Sequence, residues 1–556
     1  MKRISLLTGC IMAIILMASC ASKQEKMEKR LRDFIAAYEQ KVIPLQREAS
    51  IASWNANINN TEENWKISEK ASFELQKIFT DKASYNEIKA IKESGSVKDP
   101  ILMREMDRIF NYYLSGQVDT ALIAKQLKME AGINVKYSNF RAMVDGKPVS
   151  DNVIEEILKT SKDGKKLQEA WEAHKMIGTV VADDLIKLVK HRNLIATNLG
   201  FKNYHDMSLR LSGQDPEEVT RILDELDSLT RGNFAELKGE IDNYFAKYYN
   251  IPVSELRPWH YQNRFFQEAP AIYKVDFDKY YKNQDPAKLA AKFYDGLGLN
   301  VDKILANSDL YEKPGKNQHA FSTDIDRAGD VRTLDNIQPN SQWMGTILHE
   351  LGHGVYSFYY DPQMPWELRD AAHTFTTEAI AEMFGRLATD PSWMCDMGII
   401  DRKEADLIKD DSFKALRLQQ LVFSRWVQVM YHFEKSMYEN PDQDLNQLWW
   451  DMVEKYQMIK KPEGRNMPDY ATKIHIALYP CYYHNYLLGE VLASQLYSYM
   501  INNLNVTPSM VNQPAVGNYL KEKVFYPGAR YTWNDMIEKA TGEKLTAKYY
   551  AKQFVK

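Results

Sequence analysis

The segment QWMGTILHELGHGVYSFYY, residues 342–360, decides how this chain is read. On a helix, residues four apart share a face, so His349 and His353 can turn their imidazoles toward one metal ion. Glu350 follows the first histidine and can reach a water at that metal. Two neutral imidazoles and a neighbouring carboxylate base are what zinc-assisted hydrolysis of a peptide bond requires. Alone, the same letters also fit two histidines that happen to lie four apart. The segments around them carry the reading further.

A catalytic zinc needs three protein ligands and one open position. ELRDAAHTFTTEAIAEMFGRL, residues 367–387, offers Glu378 as the third, 25 residues after His353. Phe375, Ala379, Ile380, Met383 and Phe384 form the apolar positions of a second helix around it. Between the helices, Asp361-Pro362 and Met364-Pro365 end the first and turn the chain back. Glu382, one turn beyond Glu378, is placed to orient a ligand. His373 competes as a ligand but lies ahead of the second helix and ranks below Glu378.

The chain has 556 residues, 44% hydrophobic and 12% aromatic, enough for a large core. Its 71 basic and 75 acidic residues are mixed throughout, with no basic stripe, so a nucleic-acid partner is not expected. MKRISLLTGCIMAIILMASCASKQEK at the N-terminus has the form of an export signal over residues 1–19. Leu16-Met17-Ala18-Ser19-Cys20 looks like a bacterial lipobox, with Cys20 as the lipidated first residue. An ordinary cleaved signal with a spare cysteine is the plainer alternative. No later segment offers 18 uncharged apolar residues, so the membrane is expected to be met only through a lipid anchor. Cys395 and Cys481 alone follow Cys20, too few for a disulfide framework.

Beyond residue 26 the apolar spacing is overwhelmingly that of helices. Residues 28–56, 64–79 and 166–201 repeat it, the last ending at Gly200. Asp215-Pro216 opens another helix, through Tyr249. Candidate strands are short: HAFSTDI from His319, and VRTLDNI after Gly329-Asp330. They precede the histidine helix, where a small sheet could hold an extended peptide by strand addition.

Several of these stretches together resemble the peptidase family of angiotensin-converting enzyme. EAWEAHKMIGTVVADDLIKLVKHRNLIATNLGFKNYHDM is similar to a block of that family, and EAIAEMFG to the helix carrying its third ligand. The C-terminal YPGARYTWNDMIEKATGEKLTAKYYAKQF is similar to its closing segment. The resemblance runs from about residue 165 to the end. It implies a mainly α, large helical zinc-peptidase fold with a deep central cleft and a small β-sheet edge beside the metal helix. It implies one zinc per chain, peptide substrates and a monomer. The expected organisation is a signal over 1–19, a tether over 20–30 and one domain over 31–556. Within that domain, residues 31–165 would be lid helices and 166–556 the catalytic core. The expected location is the cell envelope of a Gram-negative bacterium.

The resemblance also assigns roles. His319 and Ala320 correspond to the family's edge strand, which grips the substrate backbone. In KIHIALYPCYYHNYLLGEVLASQL, Lys473 and His475 match a Lys-x-His, followed by a tyrosine pair, Tyr483 and Tyr486. His475 and Tyr486 would stabilise the oxyanion where charge develops. Lys473, Tyr483 and Gln267 would hold the substrate's C-terminal carboxylate. The chain also departs from the pattern. The 25-residue spacing equals that of thimet-type oligopeptidases, Glu382 replaces an aspartate, and Asn485 stands where a chloride-binding arginine is found. One extra residue before Tyr486 leaves Tyr482 and Tyr483 as rivals for the carboxylate-binding place. Release of C-terminal dipeptides is the leading expectation. A thimet-type endo-oligopeptidase and a non-catalytic helical nutrient-binding lipoprotein are the alternatives.

Overall fold

The computed structural model describes residues 2–273 and 275–555, with side chains from Lys23 onward. The side chains of Cys20 and of the expected signal segment lie outside what is described. The chain is helical nearly throughout, as its apolar spacing requires. Helix Pro216–Tyr249 begins where Asp215-Pro216 predicts. The Asp215 carboxylate accepts from the N–H groups of Glu217 and Glu218 at 2.9 and 3.1 Å. Helix Gly164–Asn198 ends just ahead of Gly200, whose φ of +90° suits a residue without a side chain.

Buried apolar side chains gather in two main bodies. The larger runs from Ile133 to Phe554 and takes in Ile347, Leu348, Leu351 and Val355 of the histidine helix. The smaller gathers Leu31, Tyr38, Ile88, Ile109 and Tyr113 from the N-terminal helices, and Trp366 enters it from the rest of the chain. Within 31–165, side chains from Leu31 to Tyr113 make most of the smaller core, Trp54 packs with Ile325 and Leu334, and Ile133 and later side chains join the larger core. A polar seam joins the bodies. Arg108 of helix Pro100–Ser115 donates to Glu367 at 3.1 Å and to Asp370 at 2.7 Å, and the Tyr38 hydroxyl donates to Glu367 at 3.2 Å.

Strands are few. Phe321–Asp324 pairs antiparallel with Val331–Leu334, with Phe321 opposite Leu334 and Asp324 opposite Val331. The two candidate strands thus form at four residues each, and His319 and Ala320 fall just ahead of the ladder. A second hairpin pairs Ala142–Val144 with Lys147–Val149. Cys395 and Cys481 are both free thiols. Among the described residues no helix is long and apolar enough to cross a membrane.

Candidate metal centre

Asn340 starts the histidine helix: its side-chain oxygen accepts from the Trp343 N–H at 2.8 Å, and the helix runs Ser341–Phe358. The two proline turns bring the chain back as helix Thr374–Gly385. Its five predicted apolar positions are all buried, which fixes the rotation that carries Glu378 toward the histidines. Two glycines let the helices come this close. A Cβ on Gly352 would lie 2.7 Å from Ala381 Cα, and one on Gly489 would lie 2.8 Å from Glu378 Cβ. The first sits inside HELGH and the second on helix His484–Asn503, which packs against the Glu378 helix.

The Nε2 atoms of His349 and His353 are 3.2 Å apart, and each is 3.7 Å from Glu378 Oε2. A tetrahedral zinc with bonds of about 2.0–2.1 Å separates its ligand atoms by about 3.3–3.4 Å, so the triangle has the right size. Among the described residues it is the one group of histidine, cysteine and carboxylate side chains that converges in this way. Burial lowers both histidines, His353 to about 3, and so keeps the imidazoles in the neutral form that donates a lone pair. Burial, reinforced by Glu382, lifts Glu378 to about 8. A carboxylate in such a place calls for a cation beside it. Donor set, separations and charge therefore all fit zinc. His349 Nδ1 lies 3.8 Å from Glu382 Oε1, close enough for Glu382 to steady the ring. His373 stands apart from the triangle as the N-cap of the Glu378 helix, where its Nδ1 accepts from the Phe375 N–H at 3.3 Å.

Glu350 is buried beside the pair. Burial, then the Asp335 and Glu378 carboxylates, push its carboxyl well above the usual range, while the Ser322 N–H of the first strand opposes them. Asp335 is a functional neighbour that sequence reasoning did not single out. It stands among Arg332, Thr333 and Asn336 and carries no signal of its own in the sequence. Burial lifts it to about 7; one oxygen accepts from the Thr333 hydroxyl at 2.8 Å and the other has no partner. A cavity of about 380 Å³ opens over these groups, bordered by the strand Phe321–Asp324. Ala320 lines it, whereas His319 is exposed and does not.

The tyrosine cluster divides between two neighbourhoods. Tyr486 and Tyr482 lie toward Glu378, whose charge adds to burial in raising their hydroxyls, Tyr486 to about 12. The Tyr483 ring lies instead beside Trp426 at 6.1 Å, with the Lys473 ammonium 5.5 Å from its centre. Lys473 donates to Gln267 Oε1 at 2.6 Å across 206 residues of chain, and burial lowers it to about 8. The His475 ring lies 5.2 Å from that of Tyr483, which is itself 5.4 Å from the Tyr486 ring. Burial lowers His475 to about 4, and its Nδ1 has no partner. Cys481, just before the tyrosine pair, has a φ of +57° and donates its N–H to Glu434 at 3.0 Å. That left-handed residue turns the chain from helix Ile474–Leu478 into helix His484–Asn503.

The family model described as angiotensin-converting enzyme (peptidase M2) matches residues 25–554. An angiotensin-converting enzyme of Theromyzon tessulatum is 23% identical, covering 94% of this chain and 90% of its own. The angiotensin-converting enzyme-like protein Ace3 of Mus musculus is 21% identical over 93% of this chain and 74% of its own. An angiotensin-converting enzyme of Haematobia irritans exigua is 21% identical over 73% and 72%. A match of that extent, around a His349–His353–Glu378 triangle sized for zinc, means that the chain belongs to the angiotensin-converting enzyme family and is a zinc metallopeptidase.

Proposed function

We propose that the protein releases dipeptides from the free C-terminus of short peptides. The observation that supports this most directly is the part-buried Lys473–Gln267 pair, a cation without a carboxylate partner among the described residues and two residues from His475. A free C-terminal carboxylate is the group that such a pair would hold, with the Tyr483 hydroxyl beside it. His349, His353 and Glu378 would hold zinc, which when bound would supply Lewis acidity toward the scissile carbonyl. Glu350 takes a proton from the attacking water and passes it to the leaving amine. His475, neutral by burial, and the Tyr486 hydroxyl donate to the oxygen that gains charge. The strand Phe321–Asp324, preceded by His319 and Ala320, lies where it can pair with the substrate backbone. Lipidation at Cys20 would tether the enzyme to the envelope of a Gram-negative bacterium.

The experiment is to compare one N-blocked peptide as free acid and as C-terminal amide, with product masses. The expected result is a dipeptide from the acid and little turnover of the amide. Equal turnover of both favours the second reading, an endo-acting oligopeptidase, for which the 25-residue His353–Glu378 spacing speaks.

A further inference from the structure

Lys473 also borders a second cavity, of about 430 Å³. Three of its charged lining groups are basic, Lys473, Arg264 and Arg141, and one, Asp151, is acidic. Arg264 is matched, by Asp151 and by Glu155 at 2.5 Å. Arg141 spends one guanidinium nitrogen on the carbonyls of Ser138 and Phe140, and Lys473 its ammonium on an uncharged amide. Neither has an ion-pair partner among the described residues. His174, 4% exposed, lines the same cavity. Its Nε2 lies 3.1 Å from Arg264 Nη1 and must accept from it, so the ring proton sits on Nδ1, which has no partner. A buried donor without an acceptor and two unmatched cations around one chamber lack the same thing, an anion.

We infer that this cavity is a specificity subsite for an acidic side chain on the substrate's C-terminal residue, received by Arg141 and His174 while Lys473 holds the α-carboxylate. The inference rests on the proposed dipeptide release. An aspartate or glutamate there brings two carboxylates to a chamber with an excess of positive charge. A lysine brings a third unmatched cation instead, which a half-buried site rejects.

The test uses N-blocked peptides identical except for a last residue of Glu, Gln or Lys, each with a free C-terminus. The full-length enzyme is expected to favour Glu over Gln by roughly five- to tenfold in kcat/KM, mostly through KM, and to disfavour Lys. In Arg141→Gln, an exposed position where folding is not at risk, the Glu-to-Gln ratio should fall toward one. It should fall in Arg264→Gln as well if that variant folds. Raised salt should narrow the ratio. A wild-type ratio near one overturns the subsite, as does a ratio that survives Arg141→Gln. Failure of dipeptide release has a different signature, because the Gln peptide would then be cleaved equally well as its C-terminal amide.

Discussion

Glu350 is buried between Asp335 and Glu378, and exchanging its carboxylate for an amide of the same shape separates metal binding from turnover. Glu350→Gln is expected to retain one zinc by metal analysis while kcat falls by about 10²–10⁴. Near-normal turnover would mean another group takes the proton. His475→Ala and Tyr486→Phe should each lower kcat by roughly 10²–10³ with little change in KM, since they act where charge develops. If Tyr486→Phe is silent and Tyr482→Phe is not, the oxyanion donor is Tyr482, which also lies toward Glu378. Lys473 carries a pH signature of its own. Burial lowers it to about 8, so its positive charge is present below that pH and lost as pH rises through it. KM for a free C-terminus is therefore expected to climb above pH 8 in initial-rate profiles. Lys473→Ala should show the high KM at every pH.

At the scale of elements, the metal triangle depends on how closely three helices approach. A methyl at Gly352 meets backbone of Ala381, and one at Gly489 meets the Cβ of the third ligand itself. Gly352→Ala and Gly489→Ala should each destabilise the protein by about 1–3 kcal/mol, the usual effect of overpacking, and weaken zinc retention during dialysis. Wild-type melting temperature and zinc affinity in both variants would show that the helices can separate without cost. The short strand Phe321–Asp324 works the same way at longer range, since its Ser322 N–H reaches Glu350.

At the scale of the whole molecule, the N-terminal helices carry their own small core and meet the rest at few points. Arg108 bridges that seam to two carboxylates with only 14% of its side chain exposed. Arg108→Ala leaves Glu367 with Tyr38 and a more distant Arg327, and is expected to cost about 3–5 kcal/mol. Hydrogen exchange over residues 31–115 should rise while zinc content stays at one per chain. Unchanged exchange there would mean that the remaining contacts, among them Trp366, Trp54 against Ile325 and Leu334, and Asn57 with Asn317, hold the two bodies together.

The zinc chemistry was legible because its parts are local. His349, Glu350 and His353 share one helical face by spacing alone, and Glu378 stands on a helix whose apolar stripe dictates its rotation. The helical class followed in the same way from apolar periodicity, and the Asp215-Pro216 start from capping chemistry. The resemblance separated Tyr486 from Tyr483 but left Tyr482 and Tyr483 as rivals beside Lys473, because those two differ only in which distant element each one meets. Asp335 beside Glu350, the glycine at 489 under Glu378 and the cavity joining Arg141 to His174 are contacts between segments far apart in the chain. Sequence by itself determined the fold class and the group His349, His353 and Glu378 that could hold a metal, since each rests on spacings within one or two helices. Only the tertiary structure decided what surrounds them, because burial, and the charge and proton placement that follow from it, are properties of packed neighbours and not of neighbours in sequence.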